Sequence, residues 1–241
     1  MNTPKTLTTV ALLCLGSATS GFAQQNNDEL KQCVVTHAQS LSADDYAFTR
    51  TTHSEATFIG KTLKNVSIEK FDPRKPADAR WTLVSVDGAP PSAAELRKYR
   101  KEAAKRRVVP GYHGIANYFG APTTVSREAD GKTMLRFAIL PKGSVSIKET
   151  DLSHLATAEA LVTAADGGPF VEQVSFTLKP KRAHVIDRYE TTFRYRIGPG
   201  GKPFLTATTS DLFGSGLGLK AAMHNATTYS DYQAVRNSPR P

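Results

Sequence analysis

A chain of 241 residues, 39% of them hydrophobic, is long enough to bury a sizeable core in one large domain or two small ones. Its 31 Lys and Arg against 22 Asp and Glu give a formal charge of +9, basic without being extreme. No apolar run reaches the roughly 18–20 residues of a membrane-spanning helix, which excludes a helical membrane protein, and two cysteines provide no disulfide framework.

The segment Met1 to Ala23 reads as a cleaved secretory signal: Lys5 gives a positive start, Leu7 to Leu15 an apolar core, and Gly21-Phe22-Ala23 a small-x-small site. Cleavage after Ala23 predicts a mature N-terminus at Gln24 and a periplasmic protein. A lipoprotein reading through Cys14 is disfavoured by Leu13, where a small residue would be expected. Removal of the segment leaves Cys33 as the one thiol, so stability must come from packing. Domain bounds follow as signal 1–23, a single domain 24–235 and a short flexible tail at 236–241, proline-broken and polar.

The first predicted helix covers Asp28 to Leu41, where Leu30, Val34, His37 and Leu41 recur at helical spacing and Cys33 reads as a buried, inert thiol. Strands are then expected at Ala47 to Thr52, Phe58 to Phe71 and Trp81 to Val86. A second helix, Ser92 to Arg107, follows Pro90-Pro91, with Ser92 and Glu95 spaced as a capping box. Leu96, Tyr99 and Ala103 give it a narrow apolar stripe. Arg97, Lys98, Arg100, Lys101, Lys105, Arg106 and Arg107 put seven basic residues into 11 positions. They read either as a solvated face or as a contact for anionic headgroups or phosphates. Export, and the lack of an aromatic-studded basic strand, argue against nucleic acid.

Beyond this helix the punctuation is that of a β protein. Leu135, Phe137 and Ile139 alternate after a turn at Asp130-Gly131, and Val174, Phe176 and Leu178 do the same. From Val185 to Ile197 odd positions are mostly apolar and even positions, including His184, Arg188, Arg194 and Arg196, mostly charged, which predicts a half-buried antiparallel strand. Asp187 breaks that pattern, and a bulge there would flip it. Further strands are expected at Ala158 to Ala164, Phe204 to Asp211 and Leu217 to Tyr229. Gly214-x-Gly-x-Gly218 reads as a bend or bulge within a curved sheet.

Catalytic signatures are missing: no G-x-S-x-G, H-E-x-x-H, C-x-x-C or Walker-type loop occurs, and six histidines stand apart in sequence. No metal or other cofactor is expected.

The order of elements, together with Phe48-Thr49-Arg50-Thr51, Phe71-Asp72-Pro73, Trp81-Thr82-Leu83, Val86-Asp87-Gly88, Pro169-Phe170-Val171 and the closing Tyr229-Ser230-Asp231-Tyr232, resembles the LolA/LolB-like superfamily of periplasmic lipoprotein carriers. The resemblance implies an α+β fold: a curved antiparallel β half-barrel of about nine to eleven strands, its concave apolar face covered by a few helices and able to hold acyl chains. The long basic helix departs from the family. The expected function is a non-catalytic binding protein for lipid, acyl chains or lipoprotein, with Trp81 and Phe137 as candidate cavity-lining residues and the seven basic residues as a candidate contact to an anionic membrane. An envelope protein platform is the alternative. A periplasmic hydrolase assembled from distant Asp, His and Ser is the third reading.

Overall fold

The computed structural model describes residues 27–103, 110–121, 123–128, 130–147, 150–165, 168–178, 186–198, 201–216 and 219–235. The predicted signal segment, the tail, Lys105, Arg106, Arg107, His184 and Val185 lie outside the described residues.

Helix α1 (Asn27–Gln39) leads into β1 (Tyr46–Phe58), β2 (Lys61–Phe71) and β3 (Trp81–Val86); helix α2 (Ala93–Ala103) and a 3-10 segment (Tyr112–Tyr118) follow. The remaining strands are β4 (Thr123–Arg127), β5 (Thr133–Phe137), the short β6 (Ser146–Ile147) and β7 (Thr150–Asp151), β8 (Ala156–Ala165), β9 (Gly168–Leu178), β10 (Ile186–Ile197), β11 (Pro203–Gly216) and β12 (Leu219–Ala234). Ten of them form one open antiparallel sheet in the order β3-β2-β1-β12-β11-β10-β9-β8-β5-β4. This is the expected curved half-barrel with helices. The first and last long strands are neighbours, and the connection from β3 to β4 carries the chain from one edge of the sheet to the other.

Side chains of directly opposed residues share a face, so the register fixes the concave surface row by row. One row reads Ser67, Thr52, Thr227 and Thr208 from β2 to β11, then Phe193, Val174, Ala160 and Leu135 from β10 to β5. The switch from hydroxyl to apolar marks where the cover begins. α1 buries Leu30, Val34 and Ala38, and the 3-10 segment buries Tyr112 and Ile115, in one core with Leu135, Phe137, Val174 and Phe176. Tyr118 stacks on Phe176 and Phe193, each at 5.4 Å. At the bulge of β9 the Val171 amide donates to the Tyr112 hydroxyl at 2.9 Å, so the cover also satisfies a buried backbone group.

On α1 the predicted stripe is present, with Ala38 added to it, His37 against the Tyr112 ring and Leu41 packed on the core, while Cys33 is only half-buried. In β10, Tyr189 and Phe193 pack on the core and Tyr195 is buried, whereas Arg188, Arg194 and Arg196 are exposed. The bulge suspected at Asp187 is there: the register shifts between Ile186 and Arg188, which turns Asp187 outward and brings Ile186 onto the concave face. Three expectations are corrected. Phe58 to Phe71 is not one strand, because the chain reverses at Ile59-Gly60 between β1 and β2. Ile139 lies beyond the end of β5 and is exposed. Gly214 and Gly216 pair with Ala221 and Leu219 at the end of the β11–β12 hairpin, so they close a hairpin where an interior bend was expected.

The β1–β2 reversal places Ile59 at φ 49 and Gly60 at φ 70, both left-handed, as a two-residue hairpin of this hand requires. Gly60 meets this without cost. A β-branched side chain does not. Ile59→Asn should therefore raise the unfolding free energy by roughly 0.5–1 kcal/mol, since a left-handed residue costs an ordinary side chain about 1–2 kcal/mol and Asn less; an unchanged or lower urea midpoint would contradict it.

Candidate functional site

The uncovered part of the concave face is graded along the strands. At one end Phe48 packs against Phe71 at 5.2 Å, Trp81 at 5.7 Å and Tyr232 at 5.5 Å, and Phe204 closes on Tyr232 at 4.6 Å. That end is filled. The next row holds Arg50 paired with Glu69, their side chains 16% and 5% exposed, with the Arg50 guanidinium 4.2 Å from the centre of the Trp81 ring. Burying two charges is repaid here by pairing and by the ring face.

Hydroxyls and amides come next: Thr52, Thr227 and Thr208, then Asn65, Ser54, Asn225 and Ser210. Thr52 and Thr227, 175 residues apart in the chain, hydrogen-bond to each other at 3.0 Å, and Thr191 donates to Ser210 at 3.2 Å. Threonine keeps strand propensity and tolerates water, which suits this partly open stretch of the face.

The last two rows turn apolar again. Leu63, Ala56, Met223 and Leu212 oppose one another across β2, β1, β12 and β11, followed by Phe58, Ala221, Gly214 and Ile186. Here the surface opens into an apolar trough of about 460 Å³ lined by Ala56, Phe58, Ile186, Leu212, Ala221 and Met223, with Leu219 at its rim. Glycines at 214 and 216 keep its floor low. A cavity of this size lies in the range of ligand pockets.

Two other concavities are less suited to a ligand. One, beside Asp45, Tyr46, His113, Lys202 and Tyr232, has about 30 Å³, room for little more than a water or two. Lys202 reaches Asp45 there at 3.3 Å, and burial pushes the His113 imidazole below its usual range against the pull of Asp45 and Asp44. The other, about 340 Å³, runs between α2 and the β2–β3 edge and is lined by Asn65, Ser67, Glu69, Lys98, Tyr99 and Glu102, a mostly polar set. Among the described residues no group of three or more His, Cys, Asp or Glu is placed to hold a metal ion, and no helix is long and apolar enough to cross a membrane.

The candidates read from the sequence fall in different places. Phe137 is buried in the core and packs on Phe119 at 4.8 Å, and Trp81 stands in the aromatic cluster at the filled end, so neither is among the residues lining the trough. On α2 the capping box forms, Ser92 donating from its amide to Glu95 at 2.7 Å and Glu95 donating back to the Ser92 hydroxyl at 3.3 Å. The Ser92 hydroxyl, donating to the same carboxylate at 2.7 Å, and then the Ser92 amide hold the Glu95 carboxyl below its usual range. Arg97, Lys98, Arg100 and Lys101 are exposed on this helix, which buries no residue, and Lys98 leans over the β2–β3 edge. The trough residues carry a weak sequence signal, apolar positions near the ends of β1, β10, β11 and β12, which acquires meaning only when the four strand ends are aligned.

Glu69→Ala should cost about 3–5 kcal/mol, because it strands the Arg50 guanidinium in a nearly buried place, and replacing both partners with Arg50→Met and Glu69→Leu should recover most of the loss. Denaturant unfolding of the three variants tests this. Equal destabilisation by the single and double changes would show that the pair contributes through packing alone.

No family model matches the chain, and no curated protein matches it in sequence. Among solved structures it is similar to a DUF1329 family protein from Desulfovibrio piger, with 11% identity, a TM-score of 0.41, and coverage of 89% of this chain and 95% of that one. It is also similar to a LolA superfamily protein from Nitrosomonas europaea, with 11% identity, a TM-score of 0.36 and coverage of 87% and 94%. A third likeness, 8% identical with a TM-score of 0.34, is to lipovitellin in a structure of its lipid–protein interactions; it takes in 82% of this chain and about a quarter, 26%, of that one. The superfamily that the sequence motifs resemble is the one to which the second of these structures belongs.

Proposed function

We propose that this protein is an exported, periplasmic, non-catalytic carrier that binds a lipid, an acyl chain or an acylated polypeptide by its apolar chain. One observation carries the reading: an open trough of about 460 Å³ lined mainly by apolar side chains, with Thr57, Ser215 and Lys220 among them, placed on the same concave face that α1 covers elsewhere. Apolar surface left uncovered at that scale in a chain able to bury the rest of its core is a binding surface by default. At about 0.8 kcal/mol per buried methylene, ten methylenes would supply on the order of 8 kcal/mol before the costs of association, with no catalytic group required. The hydroxyl and amide rows next to the trough offer hydrogen bonds to whatever head or linker the chain bears.

A second reading, a platform for an envelope protein, draws on the exposure of Phe58 and Leu63, 54% and 74%, since a protein partner would cover them as a lipid would.

Binding of a fluorescent fatty acid discriminates. Leu212→Glu and Met223→Glu, which put a carboxylate into the trough, should each weaken uptake by about tenfold or more, as an unpaired charge in an apolar site costs at least that. Arg97→Gln with Arg100→Gln on α2 should leave it unchanged. Absence of both probe binding and co-purifying lipid would rule out the carrier reading in favour of the platform.

A further inference from the structure

Six of the nine exposed large apolar side chains among the described residues, Phe58, Ile59, Leu63, Phe213, Leu219 and Met223, sit at the ends of two adjacent hairpins, β1–β2 and β11–β12. The trough accounts for only part of this. Ile59 is at the apex of its turn and 60% exposed, Leu63 is 74% exposed, and Phe213 points to the convex side, where the Arg188 guanidinium lies 4.7 Å from its ring. None of these three lines the trough. A ligand lying in the concavity leaves Ile59 and Phe213 bare, so a different occupant must meet the hairpin ends from outside.

Charge identifies that occupant. The stretches Thr57 to Lys64 and Phe213 to Met223 contain three lysines, Lys61, Lys64 and Lys220, and no carboxylate. The carboxylates beside them are engaged: Glu55 pairs with Lys64 at 3.1 Å, Asp211 with His224 at 2.8 Å, and Asp187 accepts from the Ser215 hydroxyl at 2.9 Å. Apolar side chains collared by cations match the interfacial layer of an anionic bilayer, where the first group enters the acyl boundary and the second stays among the headgroups. The hairpin ends are also fit to enter it. Among the described residues their backbones are paired to the last rungs, Phe58 with Lys61 and Gly216 with Leu219, as entry into an apolar layer requires.

We propose that the two hairpin ends insert together into the interface of an anionic membrane and set the mouth of the trough against it. The left-handed Ile59 agrees with this assignment: a strained, exposed β-branched residue at a turn that Asn or Gly would fill better is kept for contact, not for stability. Ile59, Phe213, Lys61 and Lys64 are not among the residues lining the trough, so this contact can be tested apart from acyl-chain binding.

Sedimentation of the purified protein with vesicles of phosphatidylcholine, with and without phosphatidylglycerol, tests it. Binding is expected to the mixed vesicles and to fall with added salt. Changing Lys61, Lys64 and Lys220 together to Gln should weaken it by about tenfold or more. Changing Ile59 and Phe213 together to Ser should bring it close to background, with circular dichroism and fatty-acid uptake unchanged. Ile59→Trp supplies a readout that does not depend on losing function: its emission should shift to the blue on mixing and be quenched by brominated lipid. The proposal is overturned if no vesicles bind, if the serine variant binds as well as the original, or if binding is lost on changing Arg97, Lys98, Arg100 and Lys101 to Gln. It is equally overturned if the hairpin ends prove to be covered by a second copy, seen as a concentration-dependent dimer that the serine variant abolishes. Vesicle binding without fatty-acid uptake would uphold this contact while removing the carrier reading.

Discussion

The ladder between β1 and β12 is the interaction on which the rest depends. It runs from Tyr46 opposite Ala234 to Phe58 opposite Ala221 and joins a three-strand unit at the start of the chain to a meander that ends it. Without it Phe48 would have no Tyr229 or Tyr232 to pack on, the Thr52–Thr227 hydrogen bond could not form, and the two hairpins would not end side by side. Pairings of such sequence separation pay their loop-closure entropy late, so this ladder belongs to the slow part of folding.

A single sheet of ten strands has two faces and not enough chain to cover both. α1 and the 3-10 segment cover the concave side of β4, β5, β8, β9 and part of β10, where the rows are Ala, Val, Leu and Phe. Over β2, β1, β12 and β11 nothing comparable is laid down among the described residues, and composition answers to that. The middle rows are Thr, Ser and Asn, which tolerate water, and only the last rows return to apolar side chains. Apolar groups in that position cost solubility, and a chain that keeps them there uses them.

α2 shows how a correctly specified element can remain loosely attached. Its capping box forms between Ser92 and Glu95, yet it buries no residue, and its packing is confined largely to β3. A start signal is a local matter of satisfying backbone donors; docking requires an apolar stripe wider than Leu96, Tyr99 and Ala103 provide. The same logic, in reverse, holds α1 in place: Leu30, Val34 and Ala38 are each buried, and the Lys31 ammonium adds a hydrogen bond to the Gly120 carbonyl at 2.6 Å.

What the sequence by itself determined is whatever depends on near neighbours: the period of two along β10, the stripe of α1, the cap of α2, the turn at Asp130-Gly131 and the oddity of Asp187, which the structure resolves as a bulge. The reversal at Ile59-Gly60 escaped because its signal is contradictory, a β-branched residue in a conformation that disfavours it. Only the tertiary structure decided the site. Ala56, Phe58, Leu212 and Met223 are unremarkable alternate residues of three strands, and they become one surface because the β1–β12 and β11–β12 registers bring them into adjacent rows. Likewise Trp81 and Phe137 are the large apolar residues a reader of the sequence would send to a cavity, but a ring that large is stabilised most where other rings pack on it: Phe137 is buried in the core, Trp81 stands half-buried against Phe48 and Phe71, and other side chains line the trough.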